Sequence, residues 1–191
     1  DVRVQQEGVS VELRIHGSRF ADLKNRRRSM TGRTGCGLCG TESLQEAIRP
    51  VRPVAGRRFN DALVQSAVAK LRAAQPLQAA TGASHGAAWC NAEGDLVLVK
   101  EDVGRHNALD KLIGALMRKQ LDLSEGFALV SSRASYEMVH KSCAVGIGCL
   151  VAASAPTSLA IEQAREAGQC LIGFARSGRH VIYHQPGDAQ P

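Results

Sequence analysis

Between residues 96 and 184 the sequence alternates short apolar runs with longer amphipathic stretches, and this alternation constrains the fold more than any other feature. Residues 127–131, 149–153 and 170–174 are almost continuously apolar rather than alternating, as strands covered on both faces require. Between them, residues 107–120 place Leu109, Leu112, Ile113 and Leu116 at helical spacing. Residues 135–145 and 156–167 also read as helices, the second stopping at Gly168, and 180–184 reads as a last strand. Upstream, Asn60 is positioned to cap a helix to about residue 74, with Leu63, Val64, Ala67, Val68 and Leu71 on one face. Residues 87–90 and 96–100 read as strands paired around a turn at 91–95. Strand and helix in regular succession predict a layered α/β domain with an at least partly parallel sheet.

The first 58 residues read differently. Val9, Val11, Leu13 and Ile15 alternate with polar residues, which predicts a half-buried strand over 9–15. Residues 17–58 carry six Gly, two Pro and almost no apolar period. They read as a long loop, broken at most by a short helix after Thr41, where Ser43 and Glu46 have capping-box spacing. A loop of that length in a compact domain is functional or disordered. Apolar residues at 44% and charged residues at 22% exclude wholesale disorder. No apolar run reaches the roughly 20 residues of a membrane span, and the first residues carry no secretory pattern. Residue 1 is Asp, so the numbering is expected to begin inside a longer chain. Six Cys without a secretory pattern favour reduced thiols and a cytoplasmic setting.

The net charge of +6 is concentrated. Residues 19–58 hold ten Lys/Arg and three acids, a local charge of +7 on a body of −1. This points to an anionic partner, or to a solvated face. Nucleic acid is disfavoured, because none of the seven aromatics interleaves with the basic run.

Within that run lies Arg33-Thr-Gly-Cys36-Gly-Leu-Cys39-Gly40. A C-x2-C pair supplies half a zinc site, a redox pair, or a nucleophilic thiol with a helper. No second C-x2-C exists to complete a structural zinc site, and Cys90, Cys143, Cys149 and Cys170 fall in apolar patterns as core residues. Glycines at 35, 37 and 40 give the loop conformational freedom. Arg33 and the arginine run at 26–28 favour a thiolate. The residues therefore suit a sulfur picked up in one place and delivered in another, with metal binding and a structural role as alternatives.

Three predicted strands lead into polar loops: Ser132-Arg133-Ala-Ser135, Ser154-Ala-Pro156-Thr157-Ser158, and Ala175-Arg176-Ser177-Gly178-Arg179. Ligands of open α/β sheets collect at carboxyl ends of strands, and two of these loops open helices whose N–H groups favour anions. Hydroxyls, arginines and a glycine converging there describe a phosphate or pyrophosphate site. Helix capping alone would explain Ser135, Thr157 and Ser158 but not Arg133, Arg176 and Arg179. A third cluster, Thr81-Gly82-Ala-Ser-His85 with Glu101-Asp102-Val-Gly104-Arg105-His106-Asn107, offers acid/base groups or ligand contacts. The plainer alternative is that Asn107 caps a helix and His106 bonds locally. Zinc-deaminase chemistry is disfavoured, since no Glu stands two residues after His85 and the Cys pair precedes it.

The segments Arg33-Thr-Gly-Cys-Gly-Leu-Cys-Gly40, Glu101-Asp-Val-Gly-Arg-His-Asn-Ala-Leu-Asp-Lys111 and Ser131-Ser-Arg-Ala-Ser-Tyr-Glu-Met-Val139 closely resemble the FdhD family. Ser154-Ala-Pro-Thr-Ser-Leu-Ala160 and Leu171-Ile-Gly-Phe-Ala-Arg-Ser-Gly-Arg179 continue the likeness. This is the formate dehydrogenase accessory sulfurtransferase family, and the resemblance runs from about residue 9 to residue 184. It implies a cytoplasmic homodimer that takes sulfur from a cysteine desulfurase. The sulfur passes to the bis(molybdopterin guanine dinucleotide) molybdenum cofactor before insertion into the catalytic subunit of formate dehydrogenase. Neither nucleic acid nor membrane enters. The resemblance also implies a main domain similar to the cytidine deaminase fold, and a small N-terminal domain of which this chain carries a remnant. The expected divisions are 1–30 for that remnant, 31–58 for the basic Cys-x-x-Cys loop region and 59–191 for the main domain. By resemblance Cys36 is the persulfide carrier and Cys39 its assistant. Phe174, Ala175, Arg176, Ser177, Gly178 and Arg179 bind the cofactor, for which GDP is a mimic. The residue-level reading adds Arg133 and Ser135 to that site and assigns no metal ligand. The competing class is a cofactor chaperone that moves no sulfur and binds a metal through its Cys pair.

Overall fold

A computed structural model describes residues 1–6, 8–24, 50–176 and 178–187. The first segment holds strands β1 (Val2–Gln5) and β2 (Gly8–Val11), an antiparallel pair with Val2 opposite Val11, and helix α1 (Gly17–Lys24). The expected half-buried strand over 9–15 is thus shorter and more open. Val9, Leu13 and Ile15 are all exposed, because among the described residues no second layer covers the face that their alternation defines.

Residues 50–59 run extended along the main domain. Val51 is buried in its core, and the Val54 and Arg57 N–H groups donate to the Ala167 and Gly148 carbonyls. A Cβ at Gly56 would stand 1.9 Å from the Gly168 carbonyl oxygen, so only glycine lets the two backbones meet there. Helix α2 (Asp61–Ala73) begins at Asn60, whose side chain accepts from the Ala62 N–H. After it come α3 (Pro76–Thr81), β3 (His85–Cys90), β4 (Leu96–Asp102) and α4 (Arg105–Arg118). The chain continues through β5 (Phe127–Val130), α5 (Tyr136–Ala144), β6 (Cys149–Ala152) and α6 (Ser158–Ala167) to β7 (Cys170–Arg176) and β8 (Arg179–His184).

Strands β3 to β8 form one mixed sheet in the order β4-β3-β5-β6-β7-β8. Its centre, β5-β6-β7, is parallel, and the remaining pairs are antiparallel. Both faces are buried, and the period of two divides them. Ala88, Phe127, Leu129, Val151 and Ile172 face Val64, Ala67 and Leu71 of α2. Trp89, Ala128, Val130, Leu150 and Leu171 share the other core with Leu109, Leu112 and Leu116 of α4, Met138 of α5 and Ala160 of α6. Each fully buried Leu, Phe or Met there contributes about 1.5–3 kcal/mol. Cys90, Cys149 and Cys170 lie in the α2-side core and Cys143 in the other, all fully buried as the sequence predicts.

Candidate functional site at the carboxyl edge of the sheet

Parallel alignment of β5, β6 and β7 delivers three loops to one edge, and hydrogen bonds join those loops beyond the strands. The Ser154 N–H donates to the Ser132 carbonyl, the Ala134 N–H to the Ala155 carbonyl, and the Thr157 N–H to the Ala134 carbonyl. Ala134 and Pro156 form a parallel bridge. The Phe174 N–H reaches the Ser154 carbonyl at 3.1 Å. The loops bearing Arg133 and Ser135, Ser154, and Phe174 to Arg179 are therefore neighbours, as their sequence positions predict. Thr157 caps α6 through its side chain, which accepts from the Ala160 N–H at 3.2 Å. Ser135 occupies the N-cap position of α5 without capping it, and its hydroxyl lies 3.3 Å from His106 Nε2.

The third cluster joins the same edge. Gly86 and Ser131 exchange two hydrogen bonds of 2.9 Å, which sets His85 beside the β5 loop. Burial, with Arg105 and Arg133 close by, pushes the His85 imidazole below its ordinary range, so this ring is neutral at pH 7. Burial also lowers His106, against the pull of Glu137 at 3.3 Å. Between α2, α3 and this edge opens a cleft of about 580 Å³, with Arg72, Gln75, Gln78, Ser84, His85 and Ser131 in its polar wall.

The two acids of that cluster are tied into structure rather than poised for proton transfer. Burial works to raise Glu101, but the Leu77 and Gln78 N–H groups and the Ser84 hydroxyl outweigh it and hold the carboxyl low. Asp102 is held down to about 2 by Lys111, by the Gly104 N–H and by the Asn107 amide. Asn107 is therefore not the cap of α4. Gly104 is, and Asn107 turns back to Asp102. An acid whose pKa falls on folding adds stability that is full above its unfolded value of about 3.9 and is lost as pH drops toward 2. Asp102→Asn should cost roughly 1 kcal/mol at pH 7, after allowance for screening at a partly open site. That corresponds to about 2–4 °C in Tm, and the acid limb between about pH 4 and 2 should flatten. Parallel melting curves for both proteins across that range would rule this out.

The turn between β7 and β8 is tight, with Arg176 opposite Arg179 and Gly178 at φ +81°, where a side chain would be strained. Phe174 also has a positive φ, +50°, beside the bulge that leads into the turn. Ala175 is buried, and both arginines are exposed. Gln65 of α2 accepts from the Gly178 N–H, and His180 lies between Gln65 and Asp61. The sequence reading missed Gln65, Asp61 and His180 as partners of this turn. No local signal marks them, since Gln65 borders the apolar stripe of α2 without breaking its period. Cys36, Cys39, Arg33, the arginine run at 26–28, the capping-box residues and Ser177 lie outside the described residues. Among the described residues, no three His, Cys, Asp or Glu gather as a metal site, and no helix is long and apolar enough to cross a membrane.

The sheet and its loops define an α/β domain with arginines along its carboxyl edge. The chain belongs to the FdhD/NarQ family, whose profile matches residues 1–189. It is 51% identical over 187 residues to the sulfur carrier protein FdhD of Cupriavidus necator, covering 97% of this chain and 65% of that protein. It is 52% identical over 181 residues to the protein of that name from Variovorax paradoxus, covering 94% and 65%. The chain thus spans about two thirds of the length of these curated relatives. It also resembles a crystal structure from Desulfotalea psychrophila, provisionally assigned as a formate dehydrogenase accessory protein. That match has a TM-score of 0.65 and 28% identity, over 71% of this chain and 56% of the other.

Proposed function

We infer that the chain carries sulfur as a cysteine persulfide and delivers it to a guanine-dinucleotide molybdenum cofactor destined for formate dehydrogenase. The observation that carries this reading is the convergence of the Arg133, Ser154 and Phe174–Arg179 loops on one sheet edge in a member of the FdhD/NarQ family. The relatives' name, sulfur carrier protein FdhD, supports the sulfur half. Arginine grips pyrophosphate with paired, charge-assisted hydrogen bonds, which suits Arg133, Arg176 and Arg179 to the dinucleotide. The Cys36 thiolate attacks the terminal sulfur of the desulfurase persulfide, the S–S bond there breaks, and the desulfurase thiolate leaves. Cys36 then holds the S–SH group. In delivery the Cys39 thiolate would attack the inner sulfur at Cys36, the persulfide S–S bond would break, hydrosulfide would pass on as the transferred sulfur and a Cys36–Cys39 disulfide would remain. Where Cys39 only assists, an electron pair of the acceptor would take the outer sulfur and Cys36 would leave as a thiolate. The protein works as a cytoplasmic homodimer, its main domain from residue 59 follows the layer plan of the cytidine deaminase fold, and its first 30 residues belong to a smaller domain.

A ligand that binds only the folded state raises Tm by mass action. GDP is expected to raise Tm more than ADP does, since the cofactor carries guanine. Equal shifts, or none, would reduce the edge to a generic phosphate site. Persulfide trapping read by mass spectrometry, beside a metal analysis of the same sample, separates a sulfur carrier from a chaperone with a metal-binding Cys pair.

A further inference from the structure

The turn at 176–179 is held from below by a chain of hydrogen bonds whose polarity can be assigned. Gln65, half-buried on α2, takes the Gly178 N–H on Oε1 at 2.9 Å, across 113 residues of sequence. Its amide nitrogen lies 2.7 Å from Nδ1 of His180. A primary amide donates only through nitrogen, so Nδ1 is the acceptor and carries no proton. The imidazole proton therefore sits on Nε2, 3.4 Å from the Asp61 carboxylate. Turning the amide over would set its NH2 against the Gly178 N–H, donor against donor, so the backbone of the turn dictates the orientation. The His180 side chain is only 8% exposed, and Arg58 lies 3.5 Å from the same Asp61 carboxylate.

We propose that Gln65, backed by His180 and Asp61, is the positioning residue of this turn: it selects the Nε2–H form of His180 and, through the Gly178 N–H, fixes where Arg176 and Arg179 stand to receive an anion. Gln65 touches no ligand in this role. It acts by sparing the ligand the entropy of ordering a hairpin tip that carries two like charges. The ligand, though not the hydrogen-bond chain, rests on the nucleotide reading given above.

The test uses the unsubstituted chain and Gln65→Leu, which keeps the side chain's bulk and removes both polar contacts. Nitrogen NMR of the unsubstituted chain should report His180 as the neutral Nε2–H form and a Gly178 amide protected from exchange. In Gln65→Leu the Gly178 protection should vanish and the GDP Kd should rise about five- to tenfold, the worth of one hydrogen bond, with Tm of the unliganded protein lowered by only a few degrees. His180→Phe, which removes the acceptor but leaves the Gln65–Gly178 bond, should cost less than Gln65→Leu. An Nδ1–H form of His180, or a Gln65→Leu protein that binds GDP as the unsubstituted one does, overturns the assignment. If the unsubstituted chain binds no GDP at all, the nucleotide reading falls, and His180 tautomer and Gly178 exchange still decide whether Gln65 holds the turn.

Discussion

Replacing Cys36 with alanine is expected to abolish formate dehydrogenase maturation in cells carrying only that variant, while Tm stays within a degree or two. The thiolate is the form of cysteine that attacks a persulfide, and the four thiols of the main domain are poor sources of it. Burial pushes Cys90 and Cys143 up to about 12. Cys149 is raised as well, first by its hydrogen bond with the neighbouring Cys170 and then by burial. A thiol at about 12 is ionised at pH 7 in roughly one molecule per hundred thousand, and each of the four is sealed in the core. None can take over the sulfur. In the sequence Cys36 stands among glycines and arginines in a stretch without apolar period, so its substitution is expected to leave Tm nearly unchanged. Persulfide trapping on the purified variant and enzyme activity in complemented cells give two independent readings. Near-normal activity in those cells would sink the carrier assignment.

The sequence exposed the sheet because the sheet is covered on both sides. Phe127–Val130 and Cys149–Ala152 are runs in which every residue is buried, so strand and burial coincide in the letters themselves. Capping was legible where the side chain does the capping, as at Asn60 and Thr157, and misleading at Asn107, whose amide serves Asp102 instead. The six-residue helix Pro76–Thr81 buries no residue and shows no period to read. Glu101 looked like an acid/base group because a carboxylate beside a histidine-bearing turn has no sequence mark of its partners. Those partners are backbone N–H groups at Leu77 and Gln78, more than twenty residues away. Alternation alone makes Val9 and Val11 of β2 look half-buried, since it gives the face of a strand but not whether a second layer covers it. The arginines of the carboxyl edge could be found from their place in the sequence, since each stands at or just beyond the carboxyl end of β5 or β7. The Gln65–His180 pair could not, because a contact across 115 residues leaves no local periodicity.

Arg179→Ala should separate the two halves of the reaction. Arg179 opens β8 in an exposed position, opposite Arg176 across a turn whose backbone is anchored to α2. Two guanidinium groups on so short a turn repel one another unless an anion lies between them, and a pyrophosphate satisfies both. On the proposed function this turn captures the nucleotide end, whereas Cys36 would be loaded against a different protein. The Arg179→Ala chain should therefore still acquire a persulfide from the desulfurase at the normal rate, yet bind GDP weakly. Losing one charge-assisted contact costs roughly 1.5–3 kcal/mol, on the order of ten- to a hundredfold in Kd. Arg179→Lys should recover only part of the loss, because it restores the charge and not the planar fork. The partial rescue matters as much as the loss, since a purely electrostatic role would be restored in full by lysine. Titration calorimetry with GDP and persulfide trapping on the same preparations measure the two halves separately. A variant that binds GDP normally and loads sulfur poorly would place this turn in the wrong half of the reaction.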